Sequence, residues 1–194
     1  NFKAAVLVKN NSKLAILDLE LPRKIYFGQV LIKMEYSSIC GSQIGEIDGI
    51  KGKDFFIPHL LGHEGVGKVI KIGEGVKTVS EGDLVILHWK VGEGLQSENP
   101  EYFYKGKKIN AGPITTFSEM TIVSENRVSK IHTKLNKKIL PLLGCCIPTA
   151  FGAVENNAKL KLFEKVIIFG AGGVGLNIII AAKKLNCEIF VVDI

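Results

Sequence analysis

The 194-residue chain contains few cysteines and no long hydrophobic run. Its four cysteines, Cys40, Cys145, Cys146 and Cys187, lack the spacing of a disulfide framework, so we predict a reducing, cytoplasmic compartment. The first apolar run, residues 4–8, has the length of a strand and lacks the cleavage site of a signal peptide. No apolar run is long enough to cross a membrane, and we expect no membrane partner.

The charge pattern also lacks a concentrated basic surface. The net charge is +6, but the lysines are scattered. The densest cluster, residues 105–108, has none of the interleaved aromatics and arginines of a nucleic-acid surface. We therefore predict a solvated lysine-rich face and no nucleic-acid partner. A composition of 46% hydrophobic and 23% charged residues is typical of one large globular domain or two small ones.

Short strands separated by glycine turns dominate the chain up to about residue 150. Such punctuated runs predict a compact β-rich domain. The predicted strands cover residues 3–8, 14–19, 29–38, 65–73, 83–89 and 117–123. The fourth and fifth of them resemble a hairpin.

The pattern changes in the last quarter of the chain. Residues 149–160 predict a helix, 165–170 a fully buried strand, 174–186 an apolar-faced helix and 187–194 a second strand. A strand, a helix and a strand in this order form the βαβ unit of a parallel sheet. Two parallel strands alone would leave faces and an edge uncovered, so we expect the sequence to be part of a longer protein.

A glycine-rich loop joins the first of these strands to its helix. The G-x-G-x-x-G pattern runs through Gly170, Gly172, Gly173, Val174 and Gly175, and we predict that these residues bind a dinucleotide. Gly170 would allow the tight turn, Gly172 the approach of a pyrophosphate, and Gly175 close packing of helix on strand. The helix N-terminus would offer unpaired N–H groups to the phosphates.

Asp193 closes the second strand, about twenty residues after the loop. An acid at this place accepts hydrogen bonds from the ribose hydroxyls and repels a 2′-phosphate, which favours NAD over NADP. The competing interpretation is a tight turn followed by an unrelated acid.

One histidine has a setting that indicates chemistry. His63 lies in Gly62-His63-Glu64-Gly65, where small neighbours would let the imidazole and the carboxylate converge on a ligand. The alternative is a hydrogen-bonded core histidine. Two cysteines and one histidine with an open fourth position are a ligand set of catalytic zinc.

Several motifs in a fixed order resemble the zinc-dependent medium-chain alcohol dehydrogenases. The matching segments are Cys40, residues 62–64, 82–83, 115–123, 142–154 and 170–175. The resemblance covers essentially the whole chain. It implies a β-rich GroES-like catalytic domain at residues 1–148, followed at 149–194 by the first βαβ unit of an incomplete α/β Rossmann fold that binds NAD.

The resemblance implies a role for particular residues. Cys40, His63 and Cys145 match the three ligands of one catalytic zinc, with Cys145 in the ligand position because it directly follows Gly144. Glu64 matches the acid beside the histidine that tunes the metal.

Four further positions match the family's substrate and cofactor site. Ser42 matches the hydroxyl that takes the alcohol proton, and Thr149 a residue that packs against the nicotinamide. Trp89 and Phe117 resemble aromatic residues of the substrate pocket, although they would equally suit the core of a β-domain.

The sequence departs from the family at two places beside Cys40. Gln43 replaces an aspartate that hydrogen-bonds the zinc-bound histidine, so we expect a more electrophilic zinc. Gly45 replaces a histidine that passes the proton to solvent in many members, so the proton would leave Ser42 through cofactor hydroxyls and water.

Residues 90–113, where many relatives bind a structural zinc, contain no cysteine, which excludes a Cys₄ zinc. We expect this lobe to be held by packing, through Tyr102, Phe103 and Tyr104.

The function implied by the resemblance is reversible NAD-linked oxidation of an alcohol to an aldehyde or ketone, by a full-length homodimer or homotetramer. Polyol, threonine-type and glutathione-adduct dehydrogenases differ only in substrate. Two alternatives are a zinc-free quinone or enone reductase of the same superfamily and, for this chain alone, a zinc-binding module without turnover.

Overall fold

A computed structural model describes all residues, 1–194. The chain divides into two compact units, Asn1–Gly144 and Cys145–Ile194. No single helix is long and apolar enough to span a membrane. The bent pair Lys137–Gly144 and Cys146–Asn157 reaches that length and apolar composition only when its two helices are taken together.

The first unit is β-rich, which confirms the predicted fold class. It contains ten strands and one short α-helix, α1 (Gly41–Ile47). The strands in chain order are β1 (Phe2–Leu7), β2 (Ala15–Leu19), β3 (Gln29–Ser37), β4 (His59–Leu60), β5 (Gly65–Ile72), β6 (Leu84–Leu87), β7 (Tyr102–Tyr104), β8 (Lys107–Ile109), β9 (Met120–Ser124) and β10 (Val128–Lys130). Two 3₁₀ segments, Glu125–Arg127 and Lys137–Gly144, complete the unit.

Three sheets organise these strands. A five-stranded antiparallel sheet has the order β10-β6-β5-β3-β9, and a three-stranded sheet the order β2-β1-β4. The remaining two strands, β7 and β8, form a hairpin. The predicted hairpin of the fourth and fifth runs is the antiparallel pair β5–β6.

Alternating apolar residues build the core of each sheet, because successive strand residues point to opposite faces. In the five-stranded sheet Val30, Ile32, Val69 and Leu87 are buried together. A second cluster joins the three-stranded sheet to the hairpin β7–β8. It contains Phe2, Val6, Leu19, Leu60 and Tyr102.

The second unit contains β11 (Lys165–Phe169), α3 (Gly173–Lys184) and β12 (Glu188–Val192), preceded by α2 (Cys146–Gly152) and a π-helical turn, Ala153–Asn157. The two strands are parallel, as predicted. The helix expected over 149–160 begins three residues earlier, and Pro148 lies in its first turn, where the missing N–H has no intrahelical partner to lose.

The prediction that β11 is fully buried is wrong. Ile168 is 6% exposed, but Ile167 and Phe169 are 61% and 81% exposed. Side chains alternate along the strand, and α3 packs on this sheet within the second unit. One face is therefore covered and the opposite face is open.

Candidate metal centre

Cys40 and His63 are brought together by two neighbouring segments of the first unit. Cys40 directly precedes α1 and caps its N-terminus in an extended conformation. His63 follows Gly62, whose backbone N–H donates to the side-chain carbonyl of Gln43 in the same helix. The helix that follows one cysteine thus fixes the backbone next to the histidine.

Gly62 is required by its conformation and by its neighbours. Its φ is +89°, a value that side-chain-bearing residues rarely adopt. A Cβ at this position would lie 2.3 Å from Oγ1 of Thr116 and 2.7 Å from Cδ1 of Phe117. The backbone N–H groups of Thr116 and Phe117 both donate to the carbonyl of Leu61, at 3.0 and 3.1 Å. The segment before His63 is therefore fixed on both sides.

Hydroxyl groups hold the backbone on the other side of His63. Ser37 donates to the backbone carbonyl of Glu64 at 3.0 Å, and the hydroxyls of Ser37 and Thr116 lie 2.7 Å apart. The Glu64 residue itself is 2% exposed.

The position of Cys145 follows from the residue before it. A Cβ on Gly144 would lie 2.2 Å from the carbonyl oxygen of Leu87 and 2.9 Å from Cβ of Glu64. Because Gly144 is packed against Glu64, the peptide bond that leads to Cys145 begins beside His63.

The Sγ atom of Cys40 and one ring nitrogen of His63 lie within 4.8 Å of each other, and Cys145 directly follows the last residue of this unit, Gly144. All three residues are half-buried. This separation suits donors that share one ion, since zinc is bound at about 2.0–2.3 Å by nitrogen and sulfur.

The electrostatics of His63 suit metal binding. Burial lowers the pKa of His63 below its ordinary value, and the carboxylates of Glu64 and Glu46 oppose this only in part. A lowered pKa favours the neutral imidazole, which is the form that binds a metal. The residues therefore fit the ion that the sequence predicts.

Gln43, which the resemblance places where an aspartate is expected, uses both ends of its side-chain amide within the first unit. Its carbonyl accepts from Gly62 N–H, and its amide donates to Oε2 of Glu46 at 3.3 Å. The amide of Gln43 thus connects this position to the carboxylate of Glu46, a residue that sequence reasoning missed.

The other predicted residues of this half of the site lie in different settings. Ser42 is an exposed residue in the first turn of α1. Thr149 is also exposed, and its Oγ1 lies 4.0 Å from Sγ of Cys145. Trp89 is 45% exposed, which excludes a core role, whereas Phe117 is partly buried and contacts Gly62.

Cys146, the neighbour of the predicted ligand, faces another environment. It is buried, and its Sγ accepts a hydrogen bond from the side-chain amide of Asn177 at 3.5 Å.

The glycine loop has the local geometry that its sequence predicts. Gly170 has φ +94°, and a Cβ on Gly175 would lie 1.9 Å from the carbonyl oxygen of Gly170. Around Gly172, in contrast, a Cβ would meet no atom within 4 Å. Gly173 and Val174 open α3. The loop thus combines a tight turn at Gly170, an open backbone at Gly172 and a close helix–strand contact at Gly175.

Asp193 is connected to the same loop. Its carboxylate accepts the backbone N–H of Ala171, and this bond with that of Ile194 N–H holds the pKa of Asp193 below its ordinary value. The acid is ionised beside the open backbone of Gly172.

Comparisons with known proteins agree with this architecture. The family profile of the alcohol dehydrogenase GroES-like domain matches residues 27–133, which is 107 of 194 residues. The chain belongs to this family.

Two similar curated proteins are S-(hydroxymethyl)glutathione dehydrogenases. The one from Photobacterium damsela subsp. piscicida is 30% identical over 223 aligned positions, covering 98% of this chain and 58% of the relative. The one from Haemophilus influenzae is 32% identical, covering 94% of this chain and 54% of the relative. The chain thus spans little more than half the length of these relatives.

Solved structures of alcohol dehydrogenases have the same fold. An alcohol dehydrogenase zinc-binding domain protein from Burkholderia ambifaria has a TM-score of 0.88 at 25% identity, covering all of this chain and 59% of its own. Benzyl alcohol dehydrogenase from Acinetobacter calcoaceticus has a TM-score of 0.84 at 25% identity, covering all of this chain and 58% of its own.

Proposed function

We propose that this chain carries the zinc site and the first part of the NAD site of an alcohol dehydrogenase that reversibly oxidises an alcohol to an aldehyde or ketone. The observation that carries the proposal is the pair Cys40 and His63, whose donor atoms lie within 4.8 Å of each other, with Cys145 next in sequence to Gly144, which packs against Glu64. Membership of the alcohol dehydrogenase family supports it. The same donor set disfavours the zinc-free reductase, which would have no use for it.

Each predicted residue would have a defined task in this reaction. Cys40, Cys145 and neutral His63 would hold the ion, and two thiolates would balance its charge. When bound, zinc supplies Lewis-acid chemistry that lowers the pKa of an alcohol, and NAD supplies the hydride acceptor. Ser42 would accept the alcohol proton into a relay, and Glu64 would tune the ion from beside His63.

The second unit would position the cofactor. The open backbone of Gly172 and the N-terminus of α3 at Gly173 and Val174 would bind the pyrophosphate. Asp193 would accept the ribose hydroxyls, and its charge would favour NAD over NADP.

Three residues would surround the reacting groups. Thr149 would pack against the nicotinamide. Trp89 and Phe117 would line the substrate pocket, and the exposure of the Trp89 ring leaves it available for such contacts.

The names of two relatives narrow the substrate class. S-(hydroxymethyl)glutathione and benzyl alcohol both carry a primary CH₂OH group. We infer that primary alcohols are the substrates to examine first, with glutathione adducts and aromatic alcohols ahead of polyols. The location in the cytoplasm and the assembly into homodimers or homotetramers remain predictions.

Metal analysis and NAD reduction, with the full-length protein used for turnover, test the proposal. Cys40→Ser should remove about one zinc ion per chain and lower turnover at least about 100-fold, since even partners behind the ligands are worth about 10–100-fold. Cys187→Ser is the matched control, because Cys187 lies outside the group of donors. Unchanged zinc in Cys40→Ser, or turnover by a zinc-free preparation, would refute the zinc assignment.

The alternative without turnover is tested in the same assay. If the 194-residue chain binds zinc but reduces no NAD while the full-length protein does, the chain is a zinc-binding module that needs the rest of the enzyme. If neither reduces NAD with any alcohol, the dehydrogenase proposal fails.

A further inference from the structure

A second group of metal-ligand side chains lies within the first unit, and sequence reasoning did not single it out. Nε2 of His59 lies 2.7 Å from Oδ2 of Asp54 and 3.7 Å from Oε1 of Glu46. One ligand atom from each residue lies within 4.8 Å of the others. The three side chains are 8%, 11% and 30% exposed, so they form a largely enclosed cluster.

The protonation of His59 is constrained by its surroundings. Nδ1 lies 2.9 Å from the backbone carbonyl of Leu60, which only accepts hydrogen bonds, so Nδ1 must carry a proton. In the neutral tautomer Nε2 is then a bare lone pair that faces two carboxylates. Three electron-rich atoms thus lie close together, Nε2 of His59, Oδ2 of Asp54 and Oε1 of Glu46, a group that a shared cation would stabilise.

The atoms that do not face this point are held from outside the cluster. Oδ1 of Asp54 accepts the backbone N–H of Phe56 at 2.8 Å, and Oε2 of Glu46 accepts the Gln43 amide at 3.3 Å. With Nδ1 of His59 bound to the Leu60 carbonyl, each residue has one atom fixed and one directed inward. Metal ligands are oriented in this way by their outer partners.

We propose that Glu46, Asp54 and His59 form a second zinc site, distinct from Cys40, His63 and Cys145. Imidazole nitrogen and carboxylate oxygen are both donor types that bind Zn²⁺, and two carboxylates would balance its charge. The pKa of Asp54 is below its ordinary value, because its bonds to Phe56 N–H and His59 outweigh the effect of burial, so its carboxylate is ionised.

The same residues show by which cavity an ion would reach the cluster and which segments it would connect. The cluster borders a cavity of about 380 Å³, also lined by Gln43, Asn99 and Asn110. Glu46 belongs to α1, whereas Asp54 and His59 lie on the segment that leads to His63. An ion here would cross-link the helix that follows Cys40 to that segment, and Gln43 connects the two sites through Gly62 N–H.

Zinc content per chain tests the proposal, measured after removal of loosely bound metal. We expect about two zinc ions in the unmodified chain and about one in His59→Gln. His88→Gln is the matched control. His88 also has Nδ1 at a backbone carbonyl, 2.8 Å from that of Lys90, but its Nε2 faces the hydroxyl of Ser129 instead of carboxylates. Equal zinc in His59→Gln and the unmodified chain overturns the second site.

A cysteine variant separates this proposal from the proposed function. Cys40→Ser should keep about one zinc ion, which should disappear when His59→Gln is added. With Co²⁺ in place of zinc, the thiolate absorption band should vanish in Cys40→Ser and persist in His59→Gln, because only the first group contains sulfur. If Cys40→Ser retains no metal at all, the second site is refuted while the first stands.

Folding is monitored by circular dichroism. If His59→Gln does not fold, Glu46→Gln decides in its place, because this side chain is partly exposed and glutamine has the same shape. Loss of about one zinc ion in Glu46→Gln supports the site, and unchanged content refutes it.

Discussion

Glu125 places a carboxylate in the core of the first unit without a cationic partner in contact. It is 1% exposed, and its oxygens accept backbone N–H groups from Lys77, Thr78 and Leu95 at 2.6, 2.7 and 2.8 Å. Burial alone would raise the pKa of Glu125, but these bonds outweigh it and the pKa lies below its ordinary value of 4.5. One side chain thus ties two loops to the end of β9.

The lowered pKa of Glu125 makes the stability of the protein depend on pH. A carboxyl whose pKa is lower when folded contributes stability above its unfolded pKa and loses it as the pH falls through the folded pKa. We expect the free energy of unfolding to decline as the pH falls below the ordinary pKa of 4.5. Glu125→Gln should cost about 1–3 kcal/mol at neutral pH, and its difference from the unmodified chain should shrink toward low pH.

Urea unfolding between neutral and acidic pH measures this effect. Glu101→Gln is the control, because that side chain is exposed and its ion pair with Lys108 is a surface one. A constant difference between Glu125→Gln and the unmodified chain across the pH range would contradict the role given to Glu125.

Gly62 links backbone conformation to the proposed metal. Gly62→Ala would force a Cβ to within 2.3 Å of Thr116 Oγ1 at a φ of +89°, so the segment that carries His63 must shift. We expect a loss of about 2–4 kcal/mol in stability and weaker zinc binding at the cysteine group. Gly112→Ala should change neither, since no atom lies within 4 Å of its Cβ position. Normal zinc affinity in Gly62→Ala would contradict this.

At the scale of elements, packing holds the hairpin β7–β8 in the first unit, as the sequence predicts. Tyr102 is fully buried, contacts Phe2 edge-on at 5.4 Å, and its hydroxyl oxygen accepts the backbone N–H of Ile122 at 2.9 Å. Burial raises the pKa of Tyr102 to about 12. Of the other two expected residues, Tyr104 packs on the same cluster and Phe103 is 36% exposed.

The Tyr102 hydroxyl can be tested apart from its ring. Tyr102→Phe keeps the contact with Phe2 but leaves the Ile122 N–H without its acceptor, so we expect a loss of about 1–3 kcal/mol in thermal or urea unfolding. Tyr104→Phe is the control, because its partly buried side chain belongs to the same hairpin. Equal stability of the two variants would show that only the ring matters.

Long apolar elements could be predicted from the sequence, and short ones could not. The six predicted strands and the parallel pair are present because their alternating or continuous apolar residues pack on a core. The helix α1 was missed since Gly41 and Gly45 have low helix propensity, and neighbouring contacts such as Gln43 with Gly62 stabilise it. The two- and three-residue strands depend on partners distant in sequence.

The residues of the candidate sites also divide into those that the sequence could predict and those that it could not. Cys40, His63 and Cys145 could be predicted because family motifs mark them. Glu46 and His59 belong to no motif, and their proximity depends on how α1 folds against the segment before His63. The spacing of Glu46 and His59 in the sequence does not predict that their side chains lie close together.

Two glycines of the loop before α3 allow protein stability and cofactor binding to be tested separately. Gly175→Ala would place a Cβ 1.9 Å from the Gly170 carbonyl oxygen, so we expect a loss of about 1–3 kcal/mol and weaker NAD binding. Gly172→Ala has open space, so it should fold with near-normal stability and lose NAD binding, because the methyl group would occupy the place of the pyrophosphate. Calorimetric NAD titration of the full-length protein and thermal unfolding check both; equal NAD affinity in Gly172→Ala would contradict the assignment.

At the scale of the whole molecule, burial is unevenly distributed between the two units. Ile167 lies beside Phe190, and Phe169 beside Val192, on the strand pair β11–β12. These four side chains are 61%, 48%, 81% and 51% exposed, and alternation places them on the face opposite α3. The core of the five-stranded sheet, in contrast, is almost inaccessible to solvent.

This open apolar face should be detectable in the 194-residue chain. Contiguous exposed apolar side chains bind hydrophobic dyes and favour association between chains. We expect dye fluorescence at neutral pH in the folded chain, reduced by the double variant Ile167→Thr with Phe169→Thr, and light scattering that rises with concentration. Leu135→Thr is the control, because Leu135 is 60% exposed but lies in the first unit. Dye binding that the double variant leaves unchanged would place the accessible apolar surface elsewhere in the molecule.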